Sequence, residues 1–286
     1  MRGHEVKTTM LGFLAETAIH CGAGRSSGII DLPVAREAAT DYPFIPGSGL
    51  KGALRDRARS QGRPDHDLEA LFGVQSQAGK LLVSDARLLL LPVRSLAGAY
   101  RWVTCPLVLE RYQRDLARCS LPLEAVQTLA VPPGSGSNGV PGALASEGAG
   151  TLYLEERELA VTGKCPPAWL EAMKRLVRHQ QARERLETQV AVVGNDEFAW
   201  FCRYSVPVQA RNVLNKETKT SDNLWYEESL PSDTVLYTVI AARDEGSRSA
   251  LAAMFPDGDP YLQIGGNETV GHGWVAVATR QGGGAS

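Results

Sequence analysis

The sequence predicts an α+β fold, and three observations carry that expectation. A strand, a long loop, a helix and a second strand follow one another over roughly the first ninety residues. A β-α-β-β order, half of a ferredoxin-like arrangement, fills roughly the last sixty. Between them, residues 131–150 and 211–232 are polar excursions dense in turn formers or charges.

Residues 6–14 place Val6, Thr8, Met10, Gly12 and Leu14 on one side, which predicts a strand with one mostly apolar face and His20 close to its end. The stretch from His20 to Arg59 begins as loop and ends as helix. Its glycines, prolines and serines deny it a long regular element, while Ile29, Ile30, Val34, Phe44 and Ile45 argue against disorder. A long loop of this kind inside a domain is expected to be functional; its middle, residues 32–42, carries no expectation beyond contact with a neighbouring molecule. Ser48 is placed to cap a helix that buries Leu50, Ala53, Leu54 and Ala58, with Lys51, Arg55 and Arg59 as a basic stripe beside them.

A short helix over residues 67–72 ends at Gly73, and residues 79–91 read as one long buried strand. Residues 102–118 start as strand and continue as helix, and residues 123–130 suggest another short helix. The Gly, Ser and Pro density of residues 131–150 predicts a flexible surface excursion. Residues 151–161 alternate as a strand or hairpin, and Pro167 opens a helix with Trp169, Leu170, Met173, Leu176 and Val177 on its apolar face. Residues 180–187 are wholly polar, residues 199–208 read as strand, and residues 211–232 form the second excursion. Strands at 234–242, 261–264 and 274–279 and a helix at 247–255 complete the chain, with the loop GGNETVGHG between the last two strands.

A chain of 286 residues with 43% hydrophobic content can bury a sizeable core. No apolar run is long enough for a membrane span and the first residues lack the apolar heart of a signal peptide, so the expectation is a cytoplasmic protein. Five scattered cysteines with no C-x-x-C pair predict reduced thiols. A net charge of −2 excludes a protein that coats nucleic acid by overall charge, so any such site is local.

Two loops can meet a phosphate. The start of the Ser48 helix offers free N–H groups flanked by Gly47 and Gly49, with Lys51 and Arg55 one and two turns on; the alternative is a capped surface helix with solvated charges. The glycine loop, with Gly265, Gly266, Asn267, Gly271 and Gly273, lets a sugar-phosphate chain approach the backbone; the alternative is a simple hairpin turn. Asp31, after two isoleucines and before Pro33, suits a metal ligand or proton acceptor, and His20 a proton carrier, although each residue alone is more readily structural. In residues 211–232, Arg211, Lys216 and Lys219 precede Leu224, Trp225 and Tyr226, a mixture that can grip a backbone and stack on bases, or form an exposed hairpin with its own apolar cluster. Walker A, H-E-x-x-H and G-x-S-x-G motifs are absent.

The segments GIIDLPVAREAATDYPFIPGSGLKGALR, SDARLLLLPVRSLAGAYRWVTCP, ETKTSDNLWYEESLPSDT and LQIGGNETVGHGW, in this order, resemble the RAMP superfamily of CRISPR proteins. More narrowly they are similar to the backbone, or fourth, subunits of type III-B (Cmr) effector complexes. The resemblance implies a single RAMP domain over residues 1–286, with a ferredoxin-like (RRM-like) palm, long inserted loops at about 131–150 and 211–232, and a thumb-like β-hairpin in the second. It further implies copies stacked head to tail on guide RNA (crRNA) beside other Cmr subunits, and cleavage of paired single-stranded target RNA with a divalent metal, Mg²⁺ or Mn²⁺. Asp31 matches the family's catalytic aspartate and candidate metal ligand, His20 a histidine of the same site, and Glu227 an acidic residue of the thumb. The chain departs from the pattern at Ser229, where an aromatic is expected, and Tyr226 is the candidate substitute. Guide contacts are expected from Gly47, Ser48, Gly49, Lys51, Arg55, Trp225 and the glycine loop.

Three rival expectations remain beside this one. They are a non-catalytic guide-RNA scaffold of the same family, a guide-processing endoribonuclease of the superfamily, and an enzyme for a small phosphorylated metabolite.

Overall fold

The computed structural model describes residues 7–24, 28–121 and 139–282. Its first strand, β1 (Lys7–Ala15), is buried on both faces, whereas the alternation of residues 6–14 suggested one. The cause lies at Gly12, where a β-carbon would stand 2.3 Å from the carbonyl oxygen of Leu176. A later part of the chain therefore lies directly on the strand, and only glycine leaves room for it. β1 stops at Ala15, and His20 sits beyond it in an isolated bridge to Gly266 rather than at the strand's end.

Next come β2 (Phe44–Ile45) and α1 (Gly47–Ser60), which buries Leu50, Leu54 and Ala58 as the sequence requires. α2 (Asp65–Phe72) closes on Gly73, and a small hairpin of β3 (Gly73–Val74) and β4 (Gln77–Ala78) turns the chain back. The single strand expected over residues 79–91 is two, β5 (Leu81–Val83) and β6 (Ala86–Arg94). The break is fixed by hydrogen bonds: Thr238 Oγ1 donates to the Ser84 carbonyl at 2.8 Å, and Asp85 Oδ1 accepts from the Gly47 amide at 2.7 Å. β7 (Tyr100–Thr104) and α3 (Pro106–Arg118) follow, the proline standing at the first helical turn where its missing N–H costs nothing.

The helix expected over residues 123–130 and the front of the 131–150 excursion lie outside the described residues. Its back does not conform to a flexible loop, because β8 (Gly142–Ala145) is entirely buried within the sheet. Small residues that look like linker composition here suit a strand pressed between two neighbours. β9 (Gly150–Leu154) and β10 (Arg157–Gly163) form the expected hairpin. α4 (Pro167–Lys174), α5 (Gln180–Gln189), β11 (Val190–Val193) and α6 (Asn195–Tyr204) continue the chain. The strand expected over 199–208 is thus replaced mostly by α6. Phe198, Phe201 and Cys202 recur at helical spacing and are fully buried, while Asp196 and Glu197 at the first turn and Arg203 at the last suit the helix dipole.

β12 (Val208–Leu214) and β13 (Ser221–Glu228) form an antiparallel hairpin that is separate from the large sheet. β14 (Val235–Ala242), α7 (Glu245–Ala252), β15 (Tyr261–Gln263) and β16 (Trp274–Gln281) match the order read from sequence. The large sheet runs β15-β16-β1-β14-β6-β7-β11-β8-β10-β9, with β2 on β6 and β5 on β14. Its four strands β16, β1, β14 and β6 are antiparallel at every junction. β6 continues into the second half of the sheet by pairing Leu91–Arg94 with β7. One cluster of buried apolar residues runs from Met10 on β1 to Val277 on β16. All five cysteines are free and buried, and among the described residues no helix is long and apolar enough to cross a membrane.

Candidate functional site

Three segments distant in sequence meet at the base of the β12–β13 hairpin. The Leu32 amide donates to the Tyr226 carbonyl at 3.1 Å and the Glu228 amide to the Leu32 carbonyl at 3.0 Å. On the other side of the loop, the Ala35 amide donates to the Cys21 carbonyl at 2.8 Å, and Ile19 and Leu230 exchange two bonds of 2.9 Å. Residues 19–23, 32–35 and 226–230 thereby form one irregular ribbon, which brings Asp31, His20, Tyr226 and Glu227 together.

Asp31 is partly exposed, and its Oδ2 accepts from the Tyr226 amide at 2.8 Å. A charge-assisted bond from a backbone N–H at a strand end gives the carboxylate a defined direction. The His20 ring lies against Gly22 and Gly266, and its Nδ1 is 2.7 Å from the Glu228 carbonyl. A carbonyl only accepts, so Nδ1 carries the hydrogen, and in the neutral ring Nε2 is the accepting nitrogen. Gly265 lets the loop close on the His20 main chain: its φ is +85°, a β-carbon would lie 2.4 Å from the His20 carbonyl oxygen, and that oxygen accepts from the Gly266 amide at 2.9 Å. The glycine loop is therefore shaped first by its fit to His20.

Glu227 and Glu228 are both buried, at 4% and 2% exposure. Glu227 Oε1 accepts from Asn267 Nδ2 and lies 3.7 Å from Arg211 Nη2, tying the hairpin to the glycine loop. Glu228 Oε2 accepts from the Val34 amide at 3.0 Å and its Oε1 from Arg36 Nη2 at 2.5 Å. Neither Arg36 nor Glu228 stood out in the sequence; the one available signal was the doubled glutamate after Tyr226. Tyr226 itself is 44% exposed, while Ser229 is buried, so the exposed aromatic at this strand end is the tyrosine. Trp225 is half-buried opposite Arg211 in the hairpin register.

A second group of candidates lies at α1. The helix begins at Gly47, with Pro46 in the cap position and no side-chain cap, so Ser48 is an exposed first-turn residue rather than the cap. The amide of Gly47 is already taken by the carboxylate of the exposed Asp85, which lies at the positive end of the helix. Ser48, Lys51, Gly52 and Arg55 instead face a cleft of about 390 Å³ whose far wall is the β3–β4 hairpin. Arg59 leaves the stripe to pair with Asp56 at 2.8 Å.

Among the described residues no group of three or more His, Cys, Asp or Glu side chains is gathered to hold a metal. Asp31 offers one carboxylate. That donor set fits a divalent ion shared with substrate phosphates, as Mg²⁺ commonly binds, and does not fit a metal held by protein alone.

Comparison with known proteins places this geometry in context. The family model of the RAMP superfamily matches residues 13–276. The CRISPR system Cmr endoribonuclease Cmr4 of Pyrococcus furiosus is 33% identical over 96% of this chain and 97% of its own length. The crystal structure of oligomeric Cmr4 from Pyrococcus furiosus superposes with a TM-score of 0.75 at 28% identity, covering 97% of this chain and 99% of that one. A chain in the cryo-EM structure of the type III-B Cmr-beta complex bound to cognate target RNA shares the fold, with a TM-score of 0.71 at 20% identity over 95% of this chain and 96% of that one.

Proposed function

This chain belongs to the RAMP superfamily, and from that premise we propose that it is the backbone subunit of a type III-B CRISPR effector complex and the endoribonuclease that cuts target RNA paired to the guide. One observation supports this most directly: Asp31 is oriented by the Tyr226 amide at the base of a hairpin that stands apart from the sheet. The antiparallel order β16-β1-β14-β6, with α1 and α7 in its two crossovers, is read as a ferredoxin-like (RRM-like) palm, and the hairpin as the thumb of a single domain.

RNA carries its own nucleophile. A 2′-hydroxyl held in line with the adjacent phosphorus attacks it, and the 5′-oxygen leaves, giving a cyclic phosphate and a 5′-hydroxyl. The protein has to splay the nucleotide, remove one proton and supply another. Asp31 accepts the 2′-hydroxyl proton, or would hold Mg²⁺ or Mn²⁺, which would supply neutralising charge there. Nε2 of His20 is a second acceptor on the same ribbon, and the exposed Tyr226 phenol is the candidate donor to the leaving oxygen. Glu227 acts through Asn267 and Arg211, fixing the glycine loop against the hairpin.

Guide RNA lies along the α1 cleft, meeting Ser48, Gly49, Lys51 and Arg55, and along the glycine loop with Gly265, Gly266, Asn267 and Gly271, while Trp225 of the thumb meets the duplex; Gly47 and Gly273, expected from the sequence to join them, are buried against backbone and serve the fold instead. These contacts ignore sequence because base pairing does the reading. Further copies stack head to tail, other Cmr subunits complete the particle, and no membrane takes part. The test is an assembled complex carrying Asp31→Asn. Loss of the regularly spaced cuts with target binding retained is expected; unchanged cutting would leave the scaffold reading in place.

A further inference from the structure

We propose that Arg36 is a positioning residue for cleavage, setting the Asp31 loop against the strand end that orients it. This rests on the reading of the site given above. The guanidinium is shared among three segments: Nη1 donates to the carbonyls of Asp41 and Cys202, each at 2.9 Å, and Nη2 to Glu228 Oε1 at 2.5 Å. Cys202 lies in the last turns of α6, where carbonyls carry the negative end of the helix dipole and favour a cation. Arg36 is thus anchored to the scaffold by one nitrogen and holds Glu228 with the other.

Glu228 is where the site is assembled. Its amide donates to the Leu32 carbonyl, its carbonyl accepts from His20 Nδ1, and its Oε2 accepts from the Val34 amide. Leu32 and Val34 are the first and third residues after Asp31, and Tyr226, whose amide orients Asp31, precedes Glu228 by two. One residue therefore meets the loop and the histidine at once: its main chain holds Leu32 and His20, and its buried carboxylate holds the Val34 amide. It remains a buried anion only while a cation accompanies it. Without Arg36 the carboxylate turns toward water, the Val34 amide loses its acceptor, and the loop is free to slip along β13. A displacement of about 1 Å at a reacting group can cost about 100-fold in rate. Lysine keeps the charge but is a point donor on a flexible stem, without the planar fork that spans three acceptors.

The test uses the full effector complex assembled with Arg36→Lys and, separately, Arg36→Met, with single-turnover cleavage and target affinity measured side by side. Arg36→Lys is expected to assemble and bind target as the parent does, while the cleavage rate at saturating target falls about 10- to 100-fold. Arg36→Met is expected to fall further. A merely structural role would move affinity and thermal stability together with rate. The proposal is overturned if Arg36→Lys cuts at the parental rate, if its rate falls only as its affinity does, or if neither variant assembles. Asp31→Asn in the same complex separates the two levels: normal cutting there sinks the site itself, whereas loss of cutting beside an unaffected Arg36→Lys sinks only the positioning role.

Discussion

Two glycines at the start of α1 separate what the fold requires from what a ligand requires. A β-carbon on Gly47 would meet backbone at 2.9 Å (Val83 oxygen) and 3.0 Å (Ser84 carbon), whereas one on Gly49 would meet nothing within 4 Å. Gly47→Ala therefore forces two main-chain segments apart, an overpacking cost of about 1–3 kcal/mol. For a chain of 286 residues the unfolding entropy is about 0.6 kcal/mol/K, so the Tm should fall by about 2–5 °C. Gly49→Ala replaces an exposed helical glycine and gains about 0.5 kcal/mol, raising the Tm by about 1 °C. If phosphate approaches the backbone here, the added methyl also removes a charge-assisted contact and weakens guide binding about tenfold. Calorimetry and titration of labelled guide RNA at one fixed salt concentration read both effects, because affinity for RNA is meaningless without the salt. A Gly49→Ala chain with parental guide affinity would refute the placement of RNA at this helix start, and a Gly47→Ala chain with parental Tm would refute the close-approach account.

Two further outcomes follow from buried and capping groups. Burial pushes the thiols of Cys21 and Cys165 up to about 12 and that of Cys105 to about 11, so at pH 8 almost no thiolate is present. The native chain should resist iodoacetamide at pH 8 and take up five equivalents once denatured; stoichiometric labelling of the native chain would contradict the burial. The Asp244 carboxylate, capping α7 through the Ser247 amide at 2.7 Å and paired with Lys80 at 3.0 Å, is held down to about 2. Because its folded value is depressed, its contribution is complete above the ordinary value of 3.8 and is lost as pH falls through about 2. Circular dichroism melts between pH 4 and 2 should show a smaller pH dependence for Asp244→Asn than for the parent; identical slopes would exclude the cap as the cause.

Local chemistry made much of the fold legible. The stripe Leu50, Leu54, Ala58 fixes α1, Gly73 ends α2, and the β-α-β-β order near the C-terminus survives intact. The misreadings have two causes. At residues 199–208 the helix was legible in a local period, since Phe201 and Cys202 continue from Phe198 at helical spacing and all three are buried. Elsewhere tertiary neighbours overrode local pattern. Gly142, Ala143 and Ala145 look like linker until two strands enclose them. The break at Ser84 and Asp85 depends on Thr238 and Gly47, 154 and 38 positions away.

The site was legible as residues and not as an arrangement. Asp31 could be named from its surroundings, yet the amide that orients it belongs to a residue 195 positions later. More telling is the pair Glu227 and Glu228. Consecutive strand residues point to opposite faces, so one of two glutamates in an ordinary half-buried strand should reach water. Here both are buried, which requires partners on both faces, and each face supplies them: Asn267 and Arg211 for Glu227, Val34 and Arg36 for Glu228. The two carboxylates thus fasten the hairpin to the glycine loop on one side and to the Asp31 loop on the other. A shift of the hairpin base along its axis must strain both ties together, so the hairpin, the loop proposed to hold the guide and the loop proposed to cut the target form one mechanical unit.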